Sequence, residues 1–324
     1  MATALRLRGV TKTFGTVRAV DDLDLEIPRG TTCGFIGPSG AGKTTCIRLI
    51  MSILFPDSGE LSVLGHASAL AAKDRIGYLP EERGVYRRMR VGAFLAYIGK
   101  LKGVPESAAR ARASRLLERL GLAGVEEKRC EDLSKGMLQR VQFVAALVNE
   151  PDLLILDEPF SGLDPVSVRR MREVIADEQR RGVTLLFSTH VMSHAEELCD
   201  HVVMIHRGRK VLDEPIAGLR RQYDVRTIRL EPLDADADVG ALYDVPGVAS
   251  VRRASGGWEL RLVADSDPVD VMRRIPGLVV PARLEFARVT LEDIFVRLAQ
   301  QGGAVRDEGA LRAHLQGLDV GASA

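Results

Sequence analysis

Long apolar runs are missing from this sequence. Of its 324 residues 46% are hydrophobic, yet no stretch approaches the roughly 18 consecutive apolar residues that a membrane-crossing helix needs. No charged-then-apolar leader opens it either. Cysteine is scarce: Cys33, Cys46, Cys130 and Cys199 stand far apart, with no C-x-x-C spacing. That pattern excludes a zinc knuckle and points to free, buried thiols in a reducing compartment. A charge excess is also lacking, since 45 Lys and Arg stand against 44 Asp and Glu for a net charge of +1. Such a balance argues against a strongly electrostatic nucleic-acid binder, so no nucleic-acid partner is expected. The arginines from Arg110 to Arg119 and from Arg169 to Arg181 alternate with alanine, glutamate and leucine, which reads as solvated helix faces. The length predicts about two domains with a substantial core.

Glycine, by contrast, is concentrated where it matters. Gly37-Pro38-Ser39-Gly40-Ala41-Gly42-Lys43-Thr44 fits G-x-x-x-x-G-K-[ST], with Thr45 following. Glycines let backbone N–H groups turn toward phosphate oxygens, and a helix opening near Lys43 points the positive end of its dipole at the same anion. Lys43 would reach the β- and γ-phosphates of a nucleoside triphosphate, and Thr44 would offer its hydroxyl to Mg²⁺. The preceding Cys33-Gly34-Phe35-Ile36 reads as the buried strand that feeds such a loop. Downstream, Leu153-Leu154-Ile155-Leu156 reads as a central parallel strand ending in two acids, Asp157 and Glu158. Acids at a strand's C-terminal end face the ligand crevice. Asp157 suits a Mg²⁺ site and Glu158 suits a general base acting on water.

Between these motifs lies Leu133-Ser134-Lys135-Gly136-Met137-Leu138-Gln139-Arg140. Ser134 is a good N-cap and Gly136 permits close backbone approach, so this helix start is a second anion site. The segment resembles the signature of ATP-binding-cassette (ABC) ATPases, whose usual form is Leu-Ser-Gly-Gly-Gln; Lys135 and Met137 depart from it. Further motifs follow in the family's order. Ser161-Gly162-Leu163-Asp164 resembles the D-loop, and Leu185-Leu186-Phe187-Ser188-Thr189-His190 resembles the strand ending in the switch histidine. Phe14 matches the aromatic that stacks on adenine. The resemblance implies ATP and Mg²⁺ as ligands, Glu158 and His190 as catalytic groups, and a homodimer in which each signature closes on the ATP of the other copy.

It also implies a membrane permease on a separate chain, with this protein cytoplasmic and held to the inner face of the membrane through it. Glu81, within Ile76-Gly77-Tyr78-Leu79-Pro80-Glu81, stands where most of the family has a glutamine that contacts Mg²⁺ or the lytic water. A glutamate remains a hard oxygen donor and adds a charge beside the triphosphate; the alternative is a solvated surface carboxylate. The acidic form resembles a pattern among exporter-type members.

The expected fold is α/β: a P-loop NTPase core with a parallel sheet over residues 1–218, its helical signature subdomain covering about 86–150. After about Gly218, Val225–Leu230, Val248–Arg253, Trp258–Val263 and Leu278–Phe286 read as strands, with a turn at Ser255-Gly256-Gly257. A short helical turn falls near 239–243, and helices at Asp267–Ile275 and from Thr290 through Leu298. The order suggests a small α+β, ferredoxin-like domain over 219–300 that lacks a catalytic constellation and suits a regulatory or dimer-supporting role. It resembles the appendage of exporter ATPases related to drug and sodium extrusion. Residues 301–324 are expected to be a flexible tail, with a possible helix at about 310–318. A soluble ABC ATPase acting on ribosomes or DNA would call for tandem cassettes or a long coiled coil, and neither is visible.

Overall fold

The computed structural model describes residues 2–82, 84–222, 227–254, 256–287 and 290–295. Two compact units follow one another, the first through Ile216 and the second from Ala217 to the last described residue.

The first unit opens with two long strands, β1 (Thr3–Phe14) and β2 (Val17–Pro28), paired antiparallel, with β4 (Ser58–Val63) on the other side of β1. In β2 the residues alternate strictly: Leu23, Leu25 and Ile27 are buried while Asp24 and Glu26 face solvent. This period of two is that of a sheet wet on one face. The second sheet is built differently. Its strands are β5 (Ile76–Leu79), β6 (Leu153–Asp157), β7 (Thr184–Thr189), β3 (Thr32–Ile36), β8 (His201–His206) and β9 (Arg209–Pro215), in that spatial order. All neighbours are parallel except the β8–β9 hairpin. Every residue of β3, β6 and β7 is buried, so their centres are apolar with no alternation, as parallel strands covered on both faces require.

Helix α1 (Lys43–Ile50) touches β2, β4 and β6 and so lies between the two sheets, burying Cys46, Ile47, Leu49 and Ile50. Helices α2 (Val91–Leu101), α3 (Glu106–Arg119) and α4 (Lys135–Leu147) pack on one another. The stripe Ala109, Ala113, Leu116 and Leu117 supplies the buried face of α3. Two further helices, α5 (Pro165–Arg180) and α6 (Met192–Leu198), follow β6 and β7. All four cysteines are free and buried, and burial pushes the Cys46 thiol up to about 12.

Helix α7 (Ile216–Gln222) leads into the second unit. There β10 (Thr227–Pro232), β11 (Val248–Ala254), β12 (Gly257–Leu262) and β13 (Pro281–Phe286) form an antiparallel sheet ordered β11-β12-β10-β13. That order is the ferredoxin-like one, with α8 (Pro268–Arg274) between the last two strands. Ile228, Leu230, Leu242, Leu260, Val271 and Ile275 form its own core. The short helical turn expected at 239–243 is the 3₁₀ turn Gly240–Asp244. Before it, Asp234 Oδ1 accepts from the Asp236 N–H and Asp238 Oδ1 from the Gly240 N–H, local side-chain bonds of the kind that keep a segment to turns. Helical residues 291–295 begin at a reciprocal cap, in which Thr290 Oγ1 accepts from the Asp293 N–H and Asp293 Oδ2 accepts from the Thr290 N–H. Val225 and Leu298, the proposed ends of the first strand and last helix, lie outside the described residues, as does the 301–324 tail.

Among the described residues no helix is long and apolar enough to cross a membrane.

Candidate functional site

The phosphate-type loop runs from the end of β3 to the start of α1, and its shape depends on two glycines. Gly37 adopts φ 154 and Gly42 φ 109. A Cβ on Gly37 would stand 2.2 Å from Ile205 O, and one on Gly42 would stand 2.2 Å from Ala19 O. No side chain fits either place. Lys43 is buried, and its Nζ donates to Gly37 O at 2.7 Å and to Pro38 O at 3.2 Å. Burial lowers the Lys43 pKa, while Glu158, Asp157 and Glu81 pull it back up.

Around this loop opens a cleft of about 490 Å³, lined by Ser39 to Thr45, by Glu81, Glu158 and His190, and by Val17, Ala19 and the Arg207-Gly208 turn. The volume lies within the range of small-ligand sites. Asp157 lies at the end of β6 and is fully buried. Ser188 Oγ, its register partner on β7, donates to Asp157 Oδ1. The other carboxylate oxygen, Oδ2, is buried without a hydrogen-bond partner. Burial raises the Asp157 pKa; Ser188 and the nearby Thr44 hydroxyl lower it, and the charges of Glu81 and Glu158 raise it.

Glu158 is buried and held at φ 48, a left-handed conformation unusual for a residue with a Cβ. His190, just past β7, places Nδ1 2.8 Å from Glu158 Oε1. That hydrogen bond is the main cause of a raised His190 pKa, opposed by partial burial and by Lys43. The pair leaves one glutamate oxygen uncommitted to the histidine and able to accept a proton from water.

The remaining residues that the sequence singles out, Glu81 excepted, do not line the cleft. Phe14 ends β1, half exposed; it pairs with the cleft residue Val17, and the Lys12 ammonium sits 5.7 Å from its ring centroid. Ser134 caps α4, accepting from the Met137 N–H at 3.3 Å, and Ser134 and Lys135 are exposed. Neither these two nor Gly136 and Met137 line the cleft. Asp164 caps α5 by accepting from the Ser167 N–H at 3.0 Å and the Ser167 hydroxyl at 2.6 Å. Glu81 is exposed yet on the cleft wall.

Reading the sequence missed Arg18, Ala19, Arg207 and Gly208. Arg207-Gly208 announces a hairpin, with positive φ at both positions. Only the folded chain shows that its Gly208 N–H donates to Ala41 O of the phosphate loop at 2.8 Å.

Two kinds of group would complete this cleft, and the residues fit both. The loop's backbone and Lys43 suit a triphosphate. A buried, unpaired carboxylate oxygen beside a threonine hydroxyl suits a hard cation. Among the described residues no three acidic, histidine or cysteine side chains gather into a metal cage. A Mg²⁺ here would draw on Thr44, one or two carboxylates, phosphate and water.

Comparison with known proteins agrees with this chemistry. Residues 20–161 match the family model described as ABC transporter, and residues 215–299 match that of the ATP-binding protein DrrA1-3-like, C-terminal domain. The chain is 36% identical over 292 residues to the uncharacterized ABC transporter ATP-binding protein YhaQ of Bacillus subtilis, covering 90% of this chain and 97% of that protein. It is 31% identical to the daunorubicin/doxorubicin resistance ATP-binding protein DrrA of Streptomyces peucetius, covering 94% and 90%. Identity to the Nod factor export ATP-binding protein I of Burkholderia orbicola is 33%, covering 90% and 95%. A solved ATP-binding subunit of an ABC transporter superposes with a TM-score of 0.64 at 29% identity, covering 68% of this chain and 93% of that one.

Proposed function

The chain belongs to the ATP-binding subunits of ABC transporters, and from that premise we propose that it powers an exporter by closing two copies of itself around ATP beneath a separately encoded permease. The observation that carries the catalytic part is the His190–Glu158 contact of 2.8 Å in the cleft that Lys43 and Thr44 line. Glu158 is the general base, and His190 orients its carboxylate toward the attacking water. Lys43, held by two loop carbonyls, exchanges them for phosphate oxygens, stronger acceptors because they are charged. Thr44 and Asp157, with Glu81 at the rim, would hold Mg²⁺. Such an ion, when bound, would supply positive charge against the phosphates.

Ser134 stands exposed at a capped helix start outside its own chain's cleft, which supports a contact to the ATP of the opposite copy. Exporter direction rests on the likeness to DrrA and to the Nod factor export protein along nearly their whole length. The second unit, over about 219–300, serves as an accessory domain of the dimer, and the protein works on the cytoplasmic face of the membrane.

Purification of the native membrane complex tests the assembly directly. Two copies of this chain are expected with a membrane-spanning chain, and ATP turnover should rise when the cargo of that permease is supplied. Recovery of the chain with ribosomes, or alone, would remove the permease reading.

Glu81 gives a separate expectation. Glu81→Gln is nearly isosteric and should leave the fold intact while raising the Mg²⁺ needed for half-maximal ATP binding by up to about fivefold, the scale of one exposed charge contact. Mg²⁺ titrations of nucleotide binding in both proteins check it. Superimposable curves with unaltered transport would make Glu81 a solvated surface carboxylate.

A further inference from the structure

The backbone that presents Glu158 is held at an unfavourable φ of 48, so something must keep it there. One bond is local to the turn, the Ser161 N–H donating to Glu158 O at 3.1 Å, and one reaches across to β7, the Glu158 N–H donating to Ser188 O at 3.1 Å. A third comes from a distant element. Gln139 is buried in α4, and its Nε2 donates to Pro159 O, the carbonyl after Glu158, at 3.3 Å. The start of α4 also touches this loop at its far end. A Cβ on Gly136 would lie 3.3 Å from Leu163 Cδ2, closer than side chains ordinarily pack, so the glycine lets the two segments approach. The helix that begins at Ser134 is therefore joined to the Glu158–Leu163 loop of its own chain at two points.

We propose that Gln139 is a positioning residue, fixing the peptide after Glu158 so that any shift of the signature helix is carried to the general base of the same chain. This rests on Glu158 being that base and on Ser134 meeting the opposite copy's ATP. Under it, closure of α4 on one nucleotide sets the base that acts on the other. A buried amide that loses its acceptor, or a carbonyl that loses its donor, has no water to replace it, so the link is stiff.

Gln139→Met keeps the length and removes the donor. In the full chain, kcat should fall about tenfold, the scale of one buried hydrogen bond, with the KM for ATP held within about twofold because the phosphate loop is untouched. Gln139→Glu should be pH-sensitive. Its deficit relative to the unchanged chain shrinks toward acid pH, since a protonated carboxyl donates to Pro159 O and a carboxylate cannot. If Gln139→Met does not fold, this variant of equal size carries the test. The decisive measurement is the pair with Glu158→Gln: a group that acts through the base adds no further loss once the base is gone. Equal losses in both backgrounds, or a Gln139→Glu deficit flat with pH, would overturn the proposal. Full turnover in Glu158→Gln alone would instead remove the base assignment, whatever Gln139 does.

Discussion

Glu158→Gln is expected to bind ATP as the unchanged protein does, to remain closed around it as a dimer, and to lose turnover about 10²–10⁴-fold. That loss corresponds to roughly 3–5 kcal/mol of barrier. The amide has the same shape and can still bond His190, and the groups around Lys43 are untouched, so binding persists. It cannot take a proton from water. Removing a negative charge from the cleft also eases the approach of the triphosphate. Single-turnover hydrolysis together with sizing in the presence of ATP measures both halves, and undiminished turnover would refute the role. His190 supplies an independent reading. The hydrogen bond its ring donates to Glu158 is the first cause of its raised pKa, so in the variant its ring should lose its proton at a lower pH than in the unchanged chain, as NMR of the ring would record.

Mixed copies should report which chain's signature serves which ATP. Lys43→Ala alone and Ser134→Arg alone are each expected to be inactive. Combined in equal amounts, they should recover about a quarter of full activity if pairing is random and each two-fold pair carries two independent sites. In a mixed pair, the intact loop of the Ser134→Arg chain faces the intact signature of the Lys43→Ala chain. A signature working within its own chain would leave both sites broken. Tagging the two chains differently verifies that mixed pairs are present, and nucleotide trapping provides a readout independent of turnover. Mixed pairs with neither trapping nor turnover would overturn assembly across copies.

Much of the fold was legible because its strands are buried on both faces. Cys33-Gly34-Phe35-Ile36, Leu153–Leu156 and Leu185–Thr189 are apolar runs that end in polar groups, and the structure makes them β3, β6 and β7. The loop and the acids that follow such strands were legible with them. Other features depend on contacts made across the chain. Nothing in Glu158's neighbours announces its left-handed backbone, which the carbonyl of Ser188 helps to hold. Ala19 and Gly208 reach the phosphate loop only because β2 and the β8–β9 turn arrive there from opposite ends of the first unit.

The position of β3 in its sheet sets a timetable for synthesis. Its two neighbours are β7 and β8, which leave the ribosome long after it, while the loop it feeds leans on the carbonyl of Ile205 in β8. At about 5–20 residues per second, the nascent chain carries the nucleotide loop for many seconds before either neighbour exists. Until Thr184–Thr189 has emerged Thr32–Ile36 is an unpaired strand, and until His201–His206 follows the loop has no Ile205 carbonyl beside it. The surroundings of the nucleotide loop are therefore complete only once most of the first unit has been made.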